Sequence, residues 1–508
     1  MRPTVTRRDF LAITGAAAIA TGTVGATDTS SETVTFATYN VVDLRTEQVQ
    51  SPGNEQAAAA ARVIQEIRPD VLVLNELTNN RQASQVKDVP STPLNARAFV
   101  ENYLSVPQRS DLQGIQYPQT VMPKTNTGVH SGLDLDNNGE VDDTPGDRTY
   151  GNDAYGFGQF PGQYGLAILS QLPIRRDAIR TFRTFLWKDM PDSLLPRDRS
   201  TEMFLSSAEV DEFRLSSKTH VDVPIEIGDE VVHALTAHPT PPVFDGDGNF
   251  NGKRAHDEIR LLADYAAGAE YPYDDSGTRG GLGGDESYVL MGDMNASPGD
   301  EESLEAATSY FVKNDDGFIA PPFPTSPGGA AKSGPRSKYW TAEFESQVDY
   351  VLPSSDLGIE RSAVVWPSEK TDKRGLLEAV RTASDHRLVW ADIPLDRADR
   401  GGDGPEQDEE LGQNDEDDDG DGAIDEDGED GDDTPSNDDD DGDGAIDEDD
   451  EPDDGDDGSD DFDGTAEDDD DGDGHFDEND ESDSGNSDDI DNDGDGAVDE
   501  DDEPDGDT

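Results

Sequence analysis

Polar residues of the types that bind metal ions and phosphate follow several apolar segments in the first 400 residues. The set holds three carboxylates, two amides and two imidazoles: Asn40, Glu76, His238, the run Gly292-Asp293-Met294-Asn295 and the run Ser384-Asp385-His386. Residues 33–39 alternate apolar and polar, and residues 71–74 and 287–291 are rich in apolar side chains, which predicts that the motifs follow strands. Unpaired buried charges are strongly disfavoured. We therefore expect these groups to converge at one rim and to bind a ligand there.

A divalent cation and a phosphate would satisfy this set. The oxygen ligands of Glu76 and Asp385 suit Mg²⁺ or Mn²⁺, and the chain has no Cys to offer a thiolate. Phosphoester hydrolysis needs an in-line water, neutralised equatorial oxygens and a stabilised leaving oxygen. Asp293 is the candidate general base, Asn295 and His386 are candidate donors to the phosphate, and a metal at Glu76 would be the Lewis acid. Whether Asp293 or His386 takes the proton stays open.

This ordered set resembles the endonuclease/exonuclease/phosphatase superfamily of DNase-like, metal-dependent phosphoesterases over residues 33–395. The resemblance implies an α/β (α+β) fold with two stacked mixed β-sheets flanked by helices, a four-layer sandwich with the site at one edge. It implies metal ligands at Asn40, Glu76 and Asp385. It also implies catalytic roles for His238, Asp293, Asn295, Asp349 and His386.

Two of these roles depend on the resemblance alone. Asp349, in the run Gln347-Val348-Asp349-Tyr350-Val351, is expected to pair with His386 and to fix its tautomer. His238, in Thr236-Ala237-His238-Pro239, is a candidate phosphate ligand or leaving-group acid. The nearby runs 216–220 and 245–249 are interpreted as polar turns, with a substrate-shaping role as the alternative.

The coarse order of elements agrees with a mixed α/β chain. Helical periodicity is found at residues 55–67 and 253–265, and a further helix is expected near residue 300. Other segments, near residues 166, 231, 347 and 387, are predicted to be strands. The order is not the regular alternation of a Rossmann fold.

The N-terminus is interpreted as a targeting segment, residues 1–26. The run Thr6-Arg7-Arg8-Asp9-Phe10-Leu11 followed by apolar residues 12–20 resembles a twin-arginine signal, with Val24-Gly25-Ala26 as a cleavage site. The apolar run is too short for a transmembrane helix, so no membrane-spanning segment is predicted. We expect export through the twin-arginine machinery and an extracellular location. A basic N-terminus before an ordinary helix is the alternative.

Composition changes abruptly after residue 400. Residues 401–508 contain 58 Asp and Glu and no Lys or Arg, so the other 400 residues account for only −23 of the net charge of −81. The remaining body is long enough for one large domain. An acidic body in an exported protein indicates a halophilic source, because about 1 M salt reduces the Debye length to roughly 3 Å and screens carboxylate repulsion.

The acidic tail contains four copies of a nine-residue pattern typical of calcium loops, Asp-x-Asp-x-Asp-Gly-x-(apolar)-Asp. The predicted Ca²⁺ ligands are Asp417, Asp419, Asp421, Asp425, Asp439, Asp441, Asp443, Asp447, Asp469, Asp471, Asp473, Asp477, Asp491, Asp493, Asp495 and Asp499. These repeats resemble thrombospondin type 3 or dockerin-like loops more than EF-hands, because the twelfth position lacks Glu. A disordered polyanion is the alternative, and so is a tail that becomes compact only with calcium.

One loop of the same spacing lies in the body, inside a Gly-rich insertion at residues 78–163. Its predicted Ca²⁺ ligands are Asp134, Asp136, Asn138 and Asp142. Long insertions of this kind usually owe their order to function or to a bound ion. The aromatic residues at 157–164 are interpreted as packing residues, with a roof over the active site as the alternative.

These observations predict a secreted, divalent-metal-dependent phosphoesterase with a calcium-binding tail. The expected substrate is a phosphodiester, first of all extracellular DNA or RNA. A phosphomonoesterase or phospholipase-like enzyme that acts on small or lipid phosphates is the second hypothesis. A calcium-dependent surface or matrix protein with an inactive phosphoesterase body is the alternative of another class, and it predicts a damaged site, whereas every expected position is filled. The sequence leaves the oligomeric state open.

Overall fold

The computed structural model describes residues 33–79, 93–196, 205–244, 248–298, 323–372 and 374–395, together with Leu304 and Tyr310. The predicted signal segment, the helix expected near residue 300 and the acidic tail with its calcium loops lie outside these residues. Within the described part of the chain, no helix combines the length and apolar character needed to cross a membrane.

The strands form two sheets. They are β1 (Thr33–Leu44), β2 (Val71–Leu77), β3 (Gln119–Val121), β4 (Leu166–Ser170), β5 (Arg180–Thr181), β6 (Val221–Ile227), β7 (Glu230–Thr236), β8 (Ser287–Asp293), β9 (Asp349–Pro353), β10 (Arg361–Val364) and β11 (Val389–Pro394). The first sheet has the order β10-β11-β1-β2-β4-β3, and the second has the order β5-β6-β7-β8-β9. Each sheet contains one parallel pair, β1 with β2 and β7 with β8, while its other pairs are antiparallel.

Helices cover the outer faces of both sheets. They are α1 (Thr46–Val49), α2 (Glu55–Ile67), α3 (Leu94–Phe99), α4 (Arg148–Asn152), α5 (Ser207–Glu212), α6 (Phe250–Ala266), α7 (Pro327–Ala330) and α8 (Leu376–Ala383). Short non-α turns add Val100–Leu104, Arg176–Ala178, Trp187–Asp189 and Ser337–Tyr339. The mixed α/β sandwich expected from the sequence is therefore confirmed.

Three apolar clusters hold these layers together. A central cluster lies between the sheets and includes Phe36 and Val73 of the first sheet and Val289 of the second. The outer cluster of the first sheet buries the apolar faces of α2 and α8. That of the second sheet buries the apolar face of α6. Burial of apolar area on both faces stabilises the stacked sheets and leaves their edges free to carry polar groups.

Candidate active site

The two parallel strand pairs carry the predicted site residues at their carboxyl ends. Asn40 pairs with Asn75 where β1 meets β2, and a bulge follows directly after this pair. Val42, Asp43 and Glu76 then have positive φ angles of 44°, 41° and 65°. Left-handed φ at residues other than Gly costs about 1–3 kcal/mol each and is concentrated at functional sites. Both strands therefore run past the motif residues, and the bulge redirects the side chains.

Asn40 connects the two sheets. Its Nδ2 donates to Glu76 Oε1 at 3.0 Å and to Asp293 Oδ2, at the end of β8, at 2.9 Å. Its Oδ1 accepts from Val42 N at 2.9 Å, and Glu76 Oε2 accepts from Asp43 N at 2.9 Å. The amide thus holds two carboxylates from different sheets side by side.

Both carboxylates resist ionisation in this arrangement. Burial raises the pKa of Glu76 above its ordinary value, and burial raises the pKa of Asp293 to about 6. A half-buried and a buried carboxyl that share one amide donor form a hard oxygen site with excess negative charge. The residues therefore fit a divalent cation, with Glu76 as its principal oxygen ligand.

His386 lies within ion-pair distance of two aspartates. Its Nδ1 lies 2.9 Å from Asp349 Oδ2, and its Nε2 lies 3.8 Å from Asp293 Oδ2. Burial by itself lowers the pKa of His386, but the charges of Asp349 and Asp293 outweigh burial and raise it to about 10. Ligand atoms of these three residues lie within 4.8 Å of one another, as in a metal site. The protonated imidazole already supplies the positive charge between the two carboxylates, so we interpret the group as an ion-pair network and not as a metal site.

His238 also approaches Asp293. Its Nε2 lies 3.4 Å from Asp293 Oδ2 and 4.0 Å from Glu76 Oε1. Burial, together with the positive charges of Lys218 and His386, holds the pKa of His238 well below its usual value. The imidazole is therefore neutral over the physiological range and acts as a hydrogen-bonding group.

Asn295 follows Asp293 in a tight turn. It has a φ of 49°, and its backbone N donates to Asp293 Oδ1 at 3.0 Å. Its Nδ2 donates to Pro239 O at 3.0 Å, in the loop that carries His238. The turn therefore fixes the orientation of the Asp293 carboxylate and links it to that loop.

Asp385 differs from the other site residues. It is exposed, and its backbone O accepts from Glu343 N at 2.8 Å. Among the described residues that line the site cavity, its side chain is absent, although its charge adds to that of the aspartates in raising the pKa of His386. The role of Asp385 as a metal ligand stays a prediction.

A cavity of about 1370 Å³ opens over these groups. Glu76, Asp293 and His386 line it, together with side chains from the insertion, from the loop after β7 and from the segment that precedes β9. Phe160 of the insertion is buried, as the packing interpretation predicts, but Phe157 is 44% exposed and lines the cavity. The insertion thus takes part in the cavity wall, which agrees with the alternative interpretation for Phe157.

The predicted calcium loop of the body is ordered around an aspartate that sequence reasoning missed. Asp134 and Asp136 converge with Asp153, whose buried carboxylate accepts from Leu135 N at 2.9 Å and Asp142 N at 2.8 Å. Asp142 does not join this cluster, and its Oδ2 accepts from Thr149 Oγ1, while Asn138 Oδ1 accepts from Glu140 N. Calcium binding by this loop stays a prediction.

The sequence can now be compared with known proteins. Residues 47–386 match the model of the Endonuclease/Exonuclease/phosphatase family. The chain belongs to this family. Members of the endonuclease/exonuclease/phosphatase family hydrolyse phosphoester bonds with the help of divalent metal ions. The family range contains Glu76, His238, Asp293 and His386, the residues that the fold brings together.

Solved structures with a similar fold share little sequence with this chain. The endonuclease/exonuclease/phosphatase from Beutenbergia cavernae is 16% identical over 72% of this chain and 72% of its own, with a TM-score of 0.40. Sphingomyelinase C from Streptomyces griseocarneus is 14% identical over 71% of this chain and 99% of its own, with a TM-score of 0.34. A beta toxin variant from Staphylococcus aureus, with bound magnesium ions, is 15% identical over 71% and 99%, also with a TM-score of 0.34. None of the curated proteins matches the sequence.

Proposed function

We propose that this protein is a secreted, divalent-metal-dependent phosphodiesterase that cleaves extracellular nucleic acid. The observation that carries the proposal is the placing of Asp293 Oδ2, which lies 2.9 Å from Asn40 Nδ2, 3.4 Å from His238 Nε2 and 3.8 Å from His386 Nε2. One buried carboxylate is thus surrounded by donors from both sheets. This is the environment that an attacking water and a phosphate need.

The side chains divide the chemistry among them. Asp293 has a pKa of about 6 and is ionised at neutral pH, so it can accept the proton of a water held in line with the phosphorus. His386, protonated and oriented by Asp349, donates to a phosphate oxygen as negative charge develops. His238 is placed to donate a further hydrogen bond to the phosphate.

A divalent cation supplies Lewis-acid stabilisation of the phosphate and leaving oxygens when bound. Glu76 would hold it, and Asn40 would support Glu76 by the hydrogen bond between the two side chains. The Glu76 carboxylate would thereby gain a counter-charge.

The cavity mouth favours a substrate with planar groups. Three of the six exposed large apolar side chains among the described residues, Phe157, Phe244 and Phe344, line this one cavity. Stacking of a nucleobase on an aromatic side chain is worth about 1–3 kcal/mol. Arg148 and Arg336 also line the cavity and can contact backbone phosphates. The same aromatic side chains favour a lipid phosphodiester as the second candidate.

Hydrolysis assays separate these candidates. The full chain is incubated in high salt with plasmid DNA, RNA, bis-(p-nitrophenyl) phosphate, p-nitrophenyl phosphate and sphingomyelin vesicles, with Mg²⁺, Mn²⁺, Ca²⁺ or chelator. We expect metal-dependent cleavage of the nucleic acids and of the aryl diester. Cleavage of the monoester alone would identify a phosphomonoesterase, and cleavage of the lipid alone would identify a phospholipase-like enzyme.

Two substitutions connect the activity to the site. Glu76→Gln and Asp293→Asn should each reduce kcat/KM by roughly 10³-fold or more, because each removes a charge that acts on the reacting groups. Glu101→Gln, at an exposed carboxyl, is the matched control and should retain activity. Full activity in either site variant would disprove the mechanism.

A further inference from the structure

A buried lysine faces the candidate active site. Lys218 is only 7% exposed, although the run from Ser216 to His220 has the composition of a polar turn. It lines the cavity together with Ser217 and His238. The mechanism above does not use it.

One hydrogen bond holds the Lys218 ammonium, and it shares its acceptor with Asn295. Lys218 Nζ donates to Pro239 O at 3.1 Å, and Asn295 Nδ2 donates to the same oxygen at 3.0 Å. The two nitrogens are therefore at most about 6 Å apart, a limit that follows directly from the two contacts. The ammonium lies beside the residue that we expect to contact the phosphate.

Glu258 of α6 holds the walls around this lysine. Its Oε1 accepts from Ser217 N at 2.6 Å and its Oε2 accepts from Thr240 N at 2.6 Å, so both carboxylate oxygens are used by the backbone. Glu258 is completely buried and joins the segment of Lys218 to the loop of His238. The carboxylate offers long-range charge compensation to the ammonium without a direct hydrogen bond.

An ammonium in this setting is costly in the free protein. Burial lowers the pKa of Lys218 from its ordinary value, and an ammonium group has three donors. Within the described part of the chain, the structure shows one hydrogen bond from Lys218 Nζ, the one to Pro239 O. Two donors are left for the cavity. An anion bound there would supply both the missing acceptors and the counter-charge.

We propose that Lys218 is a further catalytic residue, which donates hydrogen bonds to a non-bridging phosphate oxygen beside Asn295. The inference rests on the proposed function of this same site. Lys218 and His386 thus give the phosphate two cations from the lining of the same cavity. Such fixed positive charges stabilise a phosphoryl transition state more than the ground state, because they lie where negative charge develops on the phosphate oxygens.

Lys218→Met tests this role, with Lys370→Met as the matched control at an exposed lysine. We expect kcat/KM for the aryl diester to fall about 10²–10³-fold, the range for loss of one charge-stabilising donor. The inhibition constant of inorganic phosphate should rise at least about tenfold. Among the described residues Lys218 forms no ion pair, and burial already disfavours its charged form, so Tm should be unchanged or higher. Lys218→Arg, which keeps the charge, should recover part of the activity if it folds.

The outcomes separate this inference from the proposed function. Unchanged turnover and unchanged phosphate inhibition in Lys218→Met would overturn the inference while the phosphodiesterase activity stands. A parallel loss of Tm and activity would assign Lys218 a structural role and would also overturn it. If the wild type hydrolyses none of the substrates, the proposed function fails. Binding of inorganic phosphate, measured by calorimetry in wild type and Lys218→Met, then decides the inference by itself, and equal affinities would refute it.

Discussion

Replacing Asp349 by Asn should lower the pKa of His386 from about 10 to about 7–8. Nδ1 and Oδ2 are 2.9 Å apart, which places the centres of the two charges roughly 4 Å apart. With an effective dielectric constant of about 20, their attraction is about 4 kcal/mol, or roughly three pH units. The loss should be smaller, because Asn keeps a hydrogen-bond acceptor and Asp293 stays 3.8 Å from Nε2.

The assay is an NMR titration of the ¹³C-labelled imidazoles in the presence of chelator. The chain has seven His residues, and the signal of His386 is assigned by its loss in His386→Gln. In turnover experiments, the alkaline limb of the pH profile should move toward neutrality in Asp349→Asn, because a neutral imidazole no longer offers a charged donor. Asp143→Asn, at an exposed carboxyl, is the control. A pKa above 9 for His386 in Asp349→Asn would refute the assignment of Asp349 as the source of its charge.

Two further predictions concern stability. Asp222 accepts from His233 Nδ1 at 2.8 Å; burial lowers the pKa of His233, but this hydrogen bond and the charge of Asp222 raise it overall. A group whose pKa is higher in the folded protein than in the unfolded chain stabilises the fold at low pH. The free energy of unfolding of His233→Gln should therefore be lower than that of wild type by roughly 1.5–3 kcal/mol below about pH 6.5. This difference should shrink as pH rises through the folded pKa. A gap independent of pH would contradict this. Asp153→Ala should cost about 2–4 kcal/mol, since it leaves two backbone N–H groups without their acceptor, whereas Asp143→Ala should cost less than about 0.5 kcal/mol. Equal losses in chemical denaturation would show that the Asp153 carboxylate does not hold the insertion.

Elements with strong local signals could be predicted from the sequence. The helix at residues 55–67 has the predicted bounds, because Asn54 caps it by accepting from Ala57 N at 3.0 Å and Arg68 ends it in a left-handed conformation. The predicted helix at 253–265 is real but begins earlier, at Phe250, without a side-chain cap to mark its start. Local capping and periodicity thus account for what was found correctly.

Elements that depend on distant partners were missed. β6 carries Pro224 and a nearly continuous run of buried residues, so it lacks the alternation of a half-buried strand. The insertion was expected to be a loop, but it contains α3 and β3, and Phe99 and Tyr103 pack into the outer cluster of the first sheet. These segments gain their order from burial against sheets formed by residues far away in the chain, and a local pattern cannot show that.

The sequence by itself determined which chemical groups stand near strand ends and that their types suit a metal ion and a phosphate. The tertiary structure decided which of them meet. Asn40 and Asp293 are 253 residues apart and touch only because their two sheets stack face to face, which brings the ends of the parallel strand pairs together. The same stacking buries Lys218 beside Asn295 and leaves Asp385 exposed, although both lie in polar runs of similar appearance. The cost of burying a charge can be judged only from the fold, because the fold determines where that charge lies.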